Sequence, residues 1–317
     1  MKKIVLFGLV LITKIAVGQT IPVTGTVTDQ KGKPIPFAFI SDSQHPYGTY
    51  SDQNGAFSLK ADPASNLIAT ANYHPETKVK IDNPSDIKIV MVGDSLTQIP
   101  KAKSGIDDFF TPTESMVDHV ASLNRIGAYQ ENLHGSRFLF NAWVHGFAIT
   151  PKDSLKQNDV YLFNYDKIAG NLLFTRNKTV ALEVVKQEIK GFTLFDENAQ
   201  PYTFEDVPAI DTKHYMQVIA SGSKYKIYKD LGTRFIKADF TTNGMVTTGN
   251  NYDEYKDESI YYVVKLPGGP PQKLALKKKA IKAAFATEAD KVNKFLSEND
   301  SDIDDNYLKS LGEYMNQ

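Results

Sequence analysis

The sequence predicts a mainly β protein: a small N-terminal β-sandwich, then an antiparallel meander that curls toward a half-barrel, then a helical tail. Three observations carry this reading. Across 136–266, short runs alternate apolar and polar residues and are separated by Gly, Asn, Asp or Pro, the period of half-buried antiparallel strands. Ahead of them, Asp29-Gln30-Lys31-Gly32 and Asp52-Gln53-Asn54-Gly55 are turn tetrads, in which Asp bonds the backbone ahead and Gly takes the positive φ. Behind them, Ile281, Phe285, Val292 and Leu296 recur at spacings of four, seven and four, a helical apolar stripe.

The chain begins with Lys2 and Lys3, an apolar run over 4–12 that is too short to span a bilayer, and the small residues Ala16-Val17-Gly18. That order is a secretory leader, 1–19, with cleavage expected near Gln19 or Thr20. No later run reaches the roughly 18 apolar residues of a membrane helix, so the expectation is an exported, periplasmic protein that does not span the membrane. The chain contains no cysteine, which excludes disulfides, thiolate metal sites, thiol nucleophiles and lipid attachment through cysteine. A formal net charge of -1 over 317 residues gives no global field for nucleic acid.

The first module, 20–95, reads Val23-Thr24-Gly25-Thr26-Val27-Thr28-Asp29, Gly32-Lys33-Pro34-Ile35-Pro36-Phe37 and Asp52-Gln53-Asn54-Gly55-Ala56-Phe57. These residues resemble the carboxypeptidase regulatory-like domain, a transthyretin-like sandwich of about seven strands found in exported proteins of Gram-negative bacteria. Asn72-Tyr73 departs from the Gly-Tyr usual there. The resemblance implies a structural or docking module rather than a catalyst. Members also head outer-membrane receptors, but the remaining length here is too short for a barrel of more than twenty strands. A zinc peptidase would need His-x-x-Glu; His74-Pro75-Glu76 has the wrong spacing, and His45, His119, His134, His145 and His214 have no acidic residue three positions on.

Residues 96–135 read as a linker around Pro100 to Gly105, followed by a capped helix from Thr111-Pro112-Thr113-Glu114 with Met116, Val117, Val120 and Leu123 as its apolar face. The β domain, 136–276, has strand runs at 147–150, 160–165, 171–175, 180–184, 189–195, 215–221, 224–229, 234–240, 260–266 and 273–276. Short connections predict that sequence neighbours pair in one sheet. Ser136-Arg137-Phe138-Leu139-Phe140, Trp143-Val144-His145-Gly146 and Leu162-Phe163-Asn164-Tyr165-Asp166 resemble an uncharacterised β domain of exported proteins from the same bacteria. The tail, 277–317, opens on three lysines. Its Asp300-Ser301-Asp302-Ile303-Asp304-Asp305 lacks the Gly and the Glu of a calcium loop, so it reads as an acidic helix start capped by Ser301 or Asp302.

No cofactor, metal or catalytic constellation is predicted. The most site-like residues are Arg137, Trp143 and His145, with Tyr252 and Tyr255 in a polar, aromatic loop that could stack on a sugar or hold a peptide. A buried Trp with a satisfied His, and a plain hairpin loop, are the competing structural readings. The functional expectation is a non-enzymatic binding or scaffolding protein whose partner is an envelope protein or a glycan or lipid ligand. The alternative is a carrier of an apolar ligand inside the curled sheet, motivated by Phe138, Phe140, Phe147, Phe163, Phe174, Phe192 and Phe195. A third reading is a hydrolase built from Asp107, Asp108 or Glu131 with His134.

Overall fold

The computed structural model describes residues 20–93, 133–243 and 246–317. The leader, the linker with its capped helix, and Asp107, Asp108, His119 and Glu131 lie outside the described residues.

The N-terminal module has seven strands: β1 (Ile21–Asp29), β2 (Phe39–Asp42), β3 (Gly48–Tyr50), β4 (Ala56–Ala61), β5 (Asn66–Ala71), β6 (His74–Lys80) and β7 (Ile87–Met91). They form two sheets, ordered β4-β1-β7 and β3-β2-β5-β6, with β1 antiparallel to β4 and parallel to β7. Alternate residues face inward, so Val23, Val27, Ile40, Leu67, Ala69 and Ile89 form a fully buried core between the sheets. Both turn tetrads fold as their chemistry dictates. Asp29 Oδ1 accepts from the amides of Lys31 and Lys33, each at 2.8 Å, and Asp52 Oδ1 does the same for Asn54 and Ala56. Gly55 sits at φ 75°, where a Cβ would also come within 2.4 Å of the Val27 carbonyl.

The central part contributes β8 (Leu133–His134), β9 (His145–Ile149), β10 (Leu155–Lys156), β11 (Leu162–Asp166), β12 (Asn171–Thr175), β13 (Ala181–Glu183), β14 (Gly191–Phe195), β15 (Pro201–Glu205), β16 (Met216–Ser221), β17 (Tyr225–Ile236), β18 (Thr241–Asn243), β19 (Val246–Thr248), β20 (Asp253–Lys265) and β21 (Gln272–Leu274). Eight of these run in the order β10-β9-β14-β15-β16-β17-β20-β21, and β8 joins β20 to complete a nine-stranded open sheet. From β14 to β17 the order is the meander expected. Between β9 and β14 it is not. Strands β11, β12 and β13 leave the sheet and pair as a separate three-stranded sheet, while β14 pairs directly with β9. The reason is burial: Phe163, Tyr165, Leu172 and Phe174 pack onto Ala148, Phe192, Leu194 and Phe204, forming a second layer over one end of the large sheet.

Two further expectations are corrected. The intervals read as 224–229 and 234–240 are one strand up to Ile236, because β17 pairs without interruption along β20, with Gly232 opposite Glu258. Strand β15 was absent from the reading of the sequence; Pro201 begins it at an exposed end, where a missing donor costs little.

Helices α1 (Lys278–Ala284), α2 (Ala289–Glu298) and α3 (Asp305–Asn316) cover the other end of the same face. Their stripe of Ile281, Phe285, Val292, Phe295, Leu296, Leu308, Leu311 and Met315 packs on Ala220, Tyr225, Ile227 and Val263. The cap of α3 is Asp304, whose carboxylate accepts from the Tyr307 amide at 2.8 Å, in place of Ser301 or Asp302. At Gly312 the helix lies so close to β16 that a Cβ would stand 2.2 Å from that of Ala220. One turn on, Asn316 Oδ1 accepts from the amides of Lys224 and Tyr225, and Nδ2 donates to the carbonyls of Tyr225 and Gly312. The last helix is thereby fastened to the β16–β17 turn. Among the described residues no helix is long and apolar enough to cross a membrane.

Candidate functional site

Strand alternation sends Phe147 and Phe195 to the face opposite Ala148 and Leu194, and there they meet the N-terminal module. Phe39 and Tyr50 project from β2 and β3 into this seam. Ring centroids lie 5.7 Å apart for Phe39 and Phe147, and 5.0 Å for the edge-on pair Tyr50 and Phe195. Each such pair contributes roughly 0.5–1.5 kcal/mol beyond its buried area. The seam also has a polar end. Tyr50 donates to the Gly146 carbonyl at 3.3 Å, and Gln157 Nε2 reaches both the Tyr50 hydroxyl at 3.1 Å and Asp159 Oδ1 at 2.5 Å. Burial pushes the Tyr50 phenol up and holds the Asp159 carboxyl above the ordinary carboxylate range.

His145 lies at this polar end. Its ring stacks on Phe37 at 5.0 Å and leans on Tyr50 at 5.3 Å. Phe37 has φ 53°, a region that bulky residues rarely occupy, and its amide is tied to the Ser51 carbonyl at 3.0 Å. The Nδ1 of His145 is buried without a hydrogen-bond partner among the described residues, and burial lowers the pKa of the ring. Asp159 acts against that shift and Lys178 with it.

The structure sends the other residues singled out in the sequence elsewhere. Arg137 bonds the fully buried Asp166 through Nε at 2.8 Å and Nη2 at 2.7 Å, while the other carboxylate oxygen of Asp166 accepts from the amides of Ile168 and Ala169. The pair thus secures the β11–β12 turn. Trp143 packs with Phe138, Leu173 and Ala181 on the outer side of the small sheet. Arg137, Trp143 and His145 therefore each serve a different neighbourhood. Tyr252 stacks on His134 at 3.9 Å, and Tyr255 packs against Phe235 at 5.1 Å where β17 and β20 run out into solvent. Reasoning from the sequence missed Tyr50, Gln157 and Asp159. Nothing in the local pattern marks them, because their shared position exists only once the modules dock.

A second feature opens on the three-stranded sheet. A cavity of about 480 Å³ is lined by Val160, Tyr161, Phe174, Arg176, Asn177, Val180 and Leu182, of which Phe174 and Tyr161 are buried. Val180 is 49% exposed although apolar. Among the described residues, no group of three or more His, Cys, Asp or Glu side chains is placed to hold a metal ion.

Comparison with known families gives a single boundary. The CarboxypepD_reg-like domain family matches residues 23–99. The N-terminal module is a carboxypeptidase regulatory-like domain. No curated protein and no solved structure matches the chain. The regulatory-like domain is a non-catalytic type, and here it presents the β2–β3 side of its four-stranded sheet to the central sheet through Phe39, Tyr50 and Gly48, the last against Leu155.

Proposed function

We propose that this chain is a non-enzymatic binding or scaffolding protein of the cell envelope, exported by its leader to the periplasm. The observation that supports this is the seam. A domain of non-catalytic type is fixed to a β domain by aromatic rings and by Tyr50, Gln157 and Asp159, which gives a composite body suited to hold partners in a set relation. The test is affinity capture with the tagged mature protein from periplasm and detergent-solubilised envelope, with mass spectrometry of captured proteins and extracted small molecules. A stoichiometric envelope protein is the expected result; turnover of peptides, glycans or esters by the purified chain would overturn the reading.

A second reading, carriage of an apolar ligand, is favoured by the cavity on the three-stranded sheet. It is not favoured by the covered face of the large sheet, which is filled by β11–β13 and the helices.

A further inference from the structure

Past Lys229, β17 loses its neighbour β16 and pairs with β20 alone, so the distal part of the two strands is a ribbon in solvent. A two-stranded ribbon is marginally stable by itself in water, and a further strand stabilises it. Strand β8 supplies one only beside Asp253 and Glu254, on the β20 side. On the β17 side no strand, among the described residues, follows β16.

Register decides what that open edge offers. The Leu266 amide donates to the Lys224 carbonyl at 2.7 Å, so even-numbered residues of β17 turn their backbone groups to β20 and odd-numbered ones turn theirs away. Tyr225 accordingly accepts from the Gly222 amide at 3.1 Å on the β16 side. By the same alternation Thr233 and Phe235 present amide and carbonyl groups at the open edge, a row that an extended strand satisfies. The usual devices that blunt an edge are missing here. Residues 231–236 contain no proline and no lysine, whereas β6 carries Pro75, Lys78 and Lys80, and β10 and β21 are only two and three residues long.

The side chains say which strand fits. Phe235 is 46% exposed and lies opposite Tyr255, with ring centroids 5.1 Å apart. Arg234, the one charge in 231–236, is paired with Glu258 at 2.9 Å. We propose that two copies of this chain pair their β17 edges antiparallel about a two-fold axis at Phe235, giving a dimer with a continuous sheet. Directly opposite residues of an antiparallel pair share a face, so Tyr255, Phe235 and the partner's Phe235 and Tyr255 line up as four rings across four strands. On the other face this register sets Arg234 against the partner's Ile236; an axis at Arg234 would oppose two like charges. The edge is thus complementary to itself, as an isologous interface requires. It is short beside the roughly 20–30 residues a side of a standard interface, so the dimer depends on concentration. This goes beyond the binding role proposed above, and neither depends on the other.

The test is sedimentation velocity of the full mature chain across a wide range of concentration. Its mass should rise from one copy toward two. Phe235→Pro should raise the dimer dissociation constant by about tenfold or more, since both hydrogen bonds at the axis are lost. Because the Phe235 amide points away from β20, the ribbon keeps its own pairing, and unchanged Trp143 emission would show that the variant is folded. A second measurement does not rest on that variant. The chain has no cysteine, so Phe235→Cys adds a single thiol, and opposed residues about 5.5 Å apart between Cα atoms are within disulfide reach. With copper–phenanthroline as oxidant it should cross-link to a dimer much faster than Ser58→Cys, an exposed position on β4. A chain that stays monomeric at every concentration would overturn the proposal. So would a dimer that Phe235→Pro leaves equally strong, or cross-linking at residue 235 no faster than at residue 58.

Discussion

The imidazole of His145 lies 5.0 Å from the ring of Phe37, nearly parallel to it, so a residue of the central β domain forms half of a stack whose other half belongs to the regulatory-like domain. The ring is buried at this seam, and that desolvation lowers its pKa below the ordinary 6.5.

The seam should therefore weaken in mild acid. A group whose folded pKa is depressed contributes stability that is complete above its unfolded pKa and is lost as pH falls through the folded value. For His145 the loss begins below about 6.5. Asp159 works in the opposite sense: its raised pKa favours the docked form at low pH, and that contribution is lost as pH rises through the raised value. The outcome expected is a fall in melting temperature from neutral pH into mild acid, partly offset by Asp159 lower down. His145→Phe should flatten that fall. Thermal unfolding of both proteins across pH 4–8 checks it, and parallel curves would contradict it.

Removing aromatic rings should uncouple the modules without unfolding either. Tyr50→Ala deletes the pairs with Phe39 and Phe195 and the bond to Gly146, a loss of about 3–5 kcal/mol at a buried aromatic position. A double-mutant cycle with Phe195→Ala should give a coupling of at least about 0.5 kcal/mol. Small-angle scattering should report an increased radius of gyration for the single variant, with the far-ultraviolet circular dichroism unchanged.

Arg137→Ala leaves the fully buried carboxylate of Asp166 without its cation. The expected cost is about 3–5 kcal/mol in denaturant unfolding, since it is the abandoned charge that destabilises. Arg137→Lys should recover only part of this, because one ammonium cannot reproduce the Nε and Nη2 pair. Trp143, the single tryptophan, packs on the same small sheet and gives the fluorescence signal.

Asn316→Leu should loosen the last helix. The substitution removes the Nδ2 donor of the Gly312 and Tyr225 carbonyls and the Oδ1 acceptor shared by the amides of Lys224 and Tyr225. Unsatisfied backbone groups here cost roughly 1–3 kcal/mol in all or more, and hydrogen exchange should quicken in 305–316 ahead of the rest of the chain.

The parts of the fold that were legible in the sequence are those set by neighbours along the chain. Asp29 and Asp52 each bond amides two and four residues ahead, and Val292 and Leu296 share a face by the period of one helix, whereas Ile281 and Phe285 join them only because α1 ends at Ala284 and α2 starts anew at Ala289 on the same core. The gap left between the strand runs 224–229 and 234–240 shows the limit of local pattern: Asp230 and Gly232 carry turn chemistry, yet a continuous partner strand keeps them extended.

The sequence by itself determined a small N-terminal β-sandwich, a β-rich centre and a helical tail, because turn residues and apolar periods act locally, and its resemblance to the regulatory-like family supplied the seven strands of the first module. Only the tertiary structure decided that β11–β13 leave the meander, that Arg137 is committed to Asp166, and that His145 meets Phe37. Those outcomes depend on which apolar face finds another to bury against, over separations such as the 96 residues between Tyr50 and Gly146, and no local pattern encodes that choice.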